Sequence, residues 1–444
     1  MSTSDERSAT ERFLGIFAEV RAGEGPVALL LSLNVFLLLT AYYLVKPVRK
    51  ALILVLESGA EYEAYMSAVI AALLLVLVPL YAKLADGVKK SKLVIYATLF
   101  FSSHLLVFWL LGNSPTIKSE LGLVFFAWVG IFNMMVVAQF WAYANDVYDP
   151  ERGKRLFPVV AIGASVGAAL GAKVATLLIP ALGVTALLLV AALVLVACAA
   201  LFYLTERLRG DLGKRAEAKA TKPDPSGAFT LVFKHRYLVL LAAFSLIFSW
   251  VNTNGEFMLS RLVQDEAVRL GLSDEARKAY VGSFFGDLFF YVNVLGVLLQ
   301  SFVVSRVVKY FGFTVAFLVL PAIVLGNSFL VLALPVLSAL RYGKIAENAT
   351  DYSLNNTVRQ MLWLPTSEAM KYKAKQAVDT FFVRMGDVSS ALLVFAGTSF
   401  AWGTRAFAAS NVILVVIWLG LAVAILRENR RFVAQAEPAQ AEAA

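Results

Sequence analysis

Cysteine and histidine are nearly missing from this chain. Among 444 residues there is one cysteine, Cys198, and there are two histidines, His104 and His235. An internal disulfide and a thiolate metal cluster are therefore excluded. Two histidines leave little for a zinc or haem site, and no cofactor is expected. Charge is also scarce: Asp, Glu, Lys and Arg make up 16% of the residues, against about 25% in a soluble protein. Paired histidines, an activated cysteine and a phosphate-cradling glycine loop are all lacking, so the chain does not read as an enzyme.

What fills the sequence instead is apolar. Hydrophobic residues make up 59% of it, and a membrane-spanning helix needs about 20 of them in a row. The runs lack the in/out alternation of a membrane barrel, so the fold expected is an all-α bundle. Spans are predicted near 27–56, 62–85, 93–112, 121–146, 156–179, 182–205, 236–260, 280–304, 311–334, 336–363, 376–400 and 405–427. That makes twelve transmembrane helices in two six-helix bundles, 27–205 and 236–428. A polar linker, 206–235, separates them; a cytoplasmic segment with an interfacial helix, 1–26, precedes them; a disordered tail, 429–444, follows. Residues 1–25 do not resemble a cleaved signal, so the first span is expected to be retained.

Connections after even-numbered spans hold nineteen Lys and Arg residues, against six after odd-numbered spans. The positive-inside rule then places both termini and the linker in the cytoplasm, in an inner membrane. The same bias accounts for the net charge of +9 without nucleic acid. Phe13, Phe17, Val20 and Arg21 before span one, and Phe229, Phe233 and Arg236 before span seven, recur at helical spacing as short interfacial helices. Two sixes, each entered in this way, fit the parallel repeat of major facilitators.

Several charges stand where lipid should be. Span one carries Lys46, Arg49 and Lys50 around Pro47, at helical spacing. Each would cost about 2.5–3.5 kcal/mol at the bilayer centre, so a wet cavity is expected to receive them, with snorkelling to the outer surface as the alternative. Span ten carries Arg341, Lys344, Glu347, Asp351, Asn355 and Arg359 along one face; the bland reading is a ladder joining Lys344 to Glu347 and Asp351. Lys173, Arg384, Asp146, Glu256, Asp287 and Asp387 are further isolated charges. Cations outnumber acids in this set, and a shared cavity would favour an anionic solute. Asn34, Tyr42, Tyr43, Asn133, Gln139, Trp141, Asn252, Asn254, Tyr291 and Asn293 add uncharged polar groups, each more often core than ligand when taken singly. Glycines 163, 167 and 171 form a small-residue stripe suited to close helix packing.

Three stretches carry a family resemblance: YYLVKPVRKALIL (42–54), FWAYANDVYDPERGKRLFPVVAIGASVG (140–167) and YSLNNTVRQMLWLPTSEAMKYKAKQAVDTFFVRMGDVSSA (352–391). They resemble the ATP/ADP translocases of plastids and intracellular bacteria, nucleotide exchangers distantly similar to major facilitators. By position, Lys46 and Arg49 match that family's span-one cations, Asp146 its span-four acid, Asp287 its span-eight acid and Arg359 its span-ten lysine. The chain departs from the family in having Lys50 for an acid, Arg359-Gln360 for a Lys-Glu pair, and Asp387 for a span-eleven lysine with Arg384 nearby.

The resemblance implies a secondary transporter, monomeric in the bilayer, of an anionic solute such as a nucleotide. Contacts to the solute are expected from Lys46, Arg49, Lys50, Arg359, Arg384, Tyr42, Asn133 and Lys344. Gating or proton-coupling roles are expected for Asp146, Glu256, Asp287, Asp351 and Asp387. A sugar phosphate, carboxylate or lipid-headgroup cargo remains an alternative, as does a non-transporting sensor of the same fold.

Overall fold

A computed structural model of the protein describes residues 8–16, 18–85, 87–112, 118–209, 227–367 and 370–441. Among them the regular structure is helical, without a strand. A short helix, α1 (Ala9–Leu14), leads into α2 (Gly25–Leu54), α3 (Gly59–Ala85), α4 (Lys90–Gly112), α5 (Lys118–Val147), α6 (Pro150–Leu182) and α7 (Ala186–Leu208). Most of the expected linker, residues 210–226, lies outside the described residues, as does Phe17. The chain resumes with α8 (Ala228–Lys234), α9 (Arg236–Arg269), α10 (Asp274–Leu298), α11 (Val304–Ala333), α12 (Leu337–Thr350), α13 (Asn356–Met361), α14 (Lys375–Ala377), α15 (Val383–Ser399) and α16 (Thr404–Ala441).

Local chemistry sets several of these ends. At the start of α6, the Asp149 side chain accepts from the Arg152 N–H at 2.9 Å, and Pro150 occupies the first turn where its missing N–H costs nothing. At Gly312 the backbone turns to φ 77°, a left-handed value that glycine adopts without strain, and α11 breaks there. Short π-helical turns fall at Leu299–Val303, Asp351–Asn355, Met370–Ala374 and Val378–Phe382.

Ten helices are long and apolar enough to cross a membrane among the described residues, against twelve expected. Two features account for the difference. Residues 274–333 count as one span of 60 residues although Gly312 breaks them in two. The helical stretch from Leu337 to Met361 is too rich in charge to qualify by apolarity. At the C-terminus, α16 runs on to Ala441, through most of the segment expected to be disordered from 429; alanine, arginine and glutamine there favour helix continuation.

The residues cluster into two compact units, one of Met1–Leu56, Leu73–Ala220 and Gly271–Asn293, the other of Glu57–Ala72, Thr221–Leu270 and Val294–Ala444. Two segments of these units lie across the bounds expected for the six-helix bundles. Residues 57–72 join the second unit, where Glu63 accepts from Ser260 at 2.9 Å and the Ala60 N–H donates to Gln264 at 3.1 Å. Residues 271–293 join the first, where Asp287 meets Lys173.

Within each unit the same five pairings recur. In the first, α2 packs on α5, α6 and α7, and α4 on α5 and α7. In the second, α9 packs on α12, α15 and α16, and α11 on α12 and α16. Mapping α2, α4, α5, α6, α7 onto α9, α11, α12, α15, α16 reproduces these five pairings, as a parallel repeat would. Glycines make the closest of these contacts possible. A Cβ on Gly163, Gly167 or Gly171 would fall 2.2, 2.3 or 2.6 Å from the carbonyl oxygen of Ser32, Phe36 or Thr40 on α2. Gly386 of α15 approaches Leu246 of α9 in the same way, at 2.3 Å. In lipid, such backbone approach supplies the dispersion energy that hydrophobic burial supplies in water.

Candidate functional site

In the first unit the three cations of α2 each lie against an aromatic ring. The helix continues through Pro47, which membrane-spanning helices tolerate. Lys46 Nζ sits 3.9 Å from the ring centre of Phe289, 5.1 Å from Tyr43 and 5.9 Å from Tyr42. The Arg49 guanidinium carbon lies 4.2 Å from the Phe126 ring. Lys50, only 2% exposed, places Nζ 4.5 Å from Phe285. Contacts of this kind contribute about 0.5–2 kcal/mol each but cancel no charge. Arg49 Nε is buried without a hydrogen-bond partner, and among the described residues no carboxylate lies within ion-pair distance of its guanidinium.

Tyr42 and Tyr43 are buried and meet edge to face at 5.2 Å, and Tyr42 also leans on Phe132 at 6.3 Å. Asn133, next to Phe132 on α5, is half-buried. Asp287 gives an oxygen to Lys173 Nζ at 3.3 Å. Asp146, at the end of α5, pairs with Arg209 at 3.3 Å and Lys90 at 3.7 Å.

The second unit neutralises the cations that sequence alone left exposed. Lys344 has no exposed side-chain surface and meets Glu347 at 3.1 Å, Glu256 at 3.5 Å and the Asn252 amide oxygen at 3.1 Å. Asn348 donates to Glu256 at 3.2 Å and Asn327 to Glu347 at 2.6 Å. Asp351 accepts from Asn355 at 2.7 Å. Arg359 pairs with Asp379 at 3.2 Å and lies 5.1 Å from the Phe248 ring. Arg384 pairs with Asp387 at 3.0 Å, whose other oxygen accepts from Ser249 at 2.7 Å and Thr253 at 2.9 Å.

Expectation and geometry therefore part at several residues. The ladder on span ten exists for Lys344 and Glu347, but its second acid is Glu256 from α9 and not Asp351. Arg359, without a partner at ideal spacing on its own helix, finds one twenty residues on. Lys173, Lys344, Arg359 and Arg384 pair with carboxylates, whereas Arg49 has none within ion-pair distance among the described residues. Sequence reasoning missed the aromatic seats Phe126, Phe285 and Phe289, and also the neutralising Asp379. Only the Phe284, Phe285, Phe289 and Phe290 cluster around the Gly286-Asp287 pair signalled the seats.

The fold agrees with what the chain resembles. It is 23% identical to ADP,ATP carrier protein 1 of Chlamydia pneumoniae, over 70% of this chain and 67% of that protein. It thus spans about two thirds of that relative's length. A peptide transporter POT solved in complex with sulfate superposes with a TM-score of 0.60 at 15% identity, over 95% of this chain and 99% of the other. The nucleoside transporter NupG superposes with a TM-score of 0.60 at 13% identity, over 90% and 99%. At such identities the two superpositions show the fold. The family model for the Major Facilitator Superfamily matches residues 31–358, and the chain belongs to that superfamily.

Proposed function

We propose that this multi-pass membrane transporter carries an anionic solute, a nucleotide of the ATP/ADP type, by alternating access, as exchange or uptake. The observation that carries this reading is Arg49, a cation inside a membrane span with a buried, unpartnered Nε and no carboxylate within ion-pair distance among the described residues. Keeping a charge there uncompensated costs several kcal/mol, which a bound anion would recover. Lys46 and Lys50 stand within one turn of it, each over an aromatic face. Phosphate suits this set, since a guanidinium offers paired donors to two oxygens and ammonium groups act as point charges. Tyr42 and Tyr43 are candidates to stack on a base, and similarity to an ADP,ATP carrier favours a nucleotide over other organic anions. Lys46, Arg49 and Lys50 form the primary contacts in this reading; Asn133 and Tyr42 line them, and Lys344, Arg359 and Arg384 serve through their ion pairs. Asp146 and Asp287, each bonded to a lysine or arginine, act as gating pairs.

Counterflow in proteoliposomes tests the reading. Radiolabelled ATP should enter vesicles preloaded with ADP, and excess glucose 6-phosphate should not compete. Competition by the sugar phosphate alone would move the assignment to that cargo, and absence of any flux would leave a sensor of the same fold.

A further inference from the structure

Helix α10 gives the cations that face it two different kinds of seat. At about 100° per residue, Phe285, Phe289, Gly282, Gly286, Phe290 and Asp287 follow one another round a single arc of the helix. One end of that arc meets α2. Phe289 lies 3.9 Å from Lys46 Nζ and Phe285 4.5 Å from Lys50 Nζ, so a four-residue step on α10 is set, in reversed order, against a four-residue step on α2. The other end meets α6, where Asp287 takes Lys173 Nζ at 3.3 Å and the Phe290 ring lies 5.3 Å from it. Between the two ends the glycines let α10 lie close on α6: a Cβ on Gly286 would fall 2.5 Å from Thr176 Oγ1, and one on Gly282 2.9 Å from Ile179 Cδ1.

The rings are themselves held. Phe285 has no exposed surface and Phe289 is 4% exposed; the two stand 5.9 Å apart, and Phe289 meets Tyr43 edge to face at 6.2 Å. Placement of the acid separates the two seats. Asp287 is two residues from each of these phenylalanines, on another side of the helix, so the carboxylate of this arc is turned to Lys173 and the rings to α2. A ring face attracts an ammonium without bringing a negative charge of its own, whereas a carboxylate in the same place would repel an incoming anion. Lysine side chains have wide rotamer freedom, and an anion gains only from the poses that reach it, so a seat that fixes the pose raises affinity.

We propose that Phe289 and Phe285 are positioning residues for the anion site on α2: their faces fix the Lys46 and Lys50 ammonium groups one helical turn apart, in the pose that receives the anion. This role rests on the reading of α2 as an anion site, and it adds the first half of α10 to that site.

Fluorine on a single ring tests the role, because it drains the attraction of the face while barely changing the size of the ring. In the full-length protein, phenylalanine at 289 is replaced by 4-fluorophenylalanine and then by 3,4,5-trifluorophenylalanine. The Kd for ATP, read by isothermal titration, should rise stepwise, to about tenfold with the second replacement. The same series at Phe140, a buried ring set against Trp141 and Phe202, should leave Kd unchanged. A Kd that is unchanged or falls at 289, or an equal rise at 140, overturns the proposal. Without any solute, acylation of Lys46 by acetic anhydride, read by mass spectrometry, should be faster with the trifluorinated ring at 289 and unmoved with the same ring at 140. Equal rates in wild type and the 289 variant would also overturn it. If wild type binds no ATP, the nucleotide reading fails and the acylation of Lys46 alone decides this one.

Discussion

Arg49, half-buried, and Lys344, wholly buried, are both cations inside the helical bundle, but they live in opposite settings. Arg49 leans on a ring and lacks a carboxylate among the described residues, whereas Lys344 sits between two acids. Removing Arg49 should therefore spare the fold and harm binding. Arg49→Ala is expected to weaken ATP binding about 10- to 100-fold, the worth of a charge-assisted pair, while Arg49→Lys restores only part of it because the planar fork is lost. Isothermal titration on detergent-purified protein checks this; unchanged affinity in Arg49→Ala would remove it from the site. Removing Lys344 should do the reverse, since it takes a fully buried ammonium from between Glu256 and Glu347. A loss of about 3–5 kcal/mol is expected for Lys344→Ala, read as a lower thermal midpoint and partly recovered by adding Glu347→Gln. At this scale the sequence revealed which helix bore each charge, because spacing along one chain segment is visible in it. It did not reveal partners such as Glu256 for Lys344 or Phe289 for Lys46, which arrive from helices far along the chain and depend on tertiary packing.

Among the helices, the pairing of α2 with α6 is the most tightly specified. Gly167→Ala would drive a methyl group to 2.3 Å from the Phe36 carbonyl, where backbone cannot yield cheaply. A destabilisation of about 1–3 kcal/mol is expected, against none for Gly326→Ala, which meets no atom within 4 Å. The four-residue recurrence of glycine made this packing legible beforehand. The π-turns were not legible, since an extra residue in one turn leaves no mark on an apolar pattern. A clasp at the start of the chain adds an acid-sensitive contact. Arg155 holds Glu24 at 2.9 Å, Arg152 stands 3.5 Å from it, and Arg21 reaches Glu151 at 3.2 Å. Burial pushes the Glu24 carboxyl up, but hydrogen bonds from Arg155 and the Arg21 N–H, with the charges of Arg155 and Arg152, outweigh it and hold it below the usual range. The clasp's contribution is thus complete above the ordinary carboxylate pKa of about 4.3 and fades as acidification passes the depressed native value. Limited proteolysis around residues 18–24 should accelerate at acid pH in wild type and be fast at every pH in Glu24→Gln.

For the molecule as a whole, the repeated five pairings were foreshadowed by two runs of six spans and an intervening polar stretch. The exact membership of the units was not, because residues 57–72 and 271–293 are assigned by contacts and not by apolarity. Orientation across the bilayer is open to a direct measurement, helped by the burial of Cys198, which has no exposed surface. A Ser367→Cys label should react from the cytoplasmic side and a Ser273→Cys label from the opposite side; both positions are exposed. The reverse pattern would invert the topology derived from lysine and arginine counts. The three glycines of α6 also bear on how movement spreads. With no side chain cushioning them, α2 and α6 have no slack to slide past one another, so a nudge at Arg49 reaches Lys173, two residues beyond Gly171, in step.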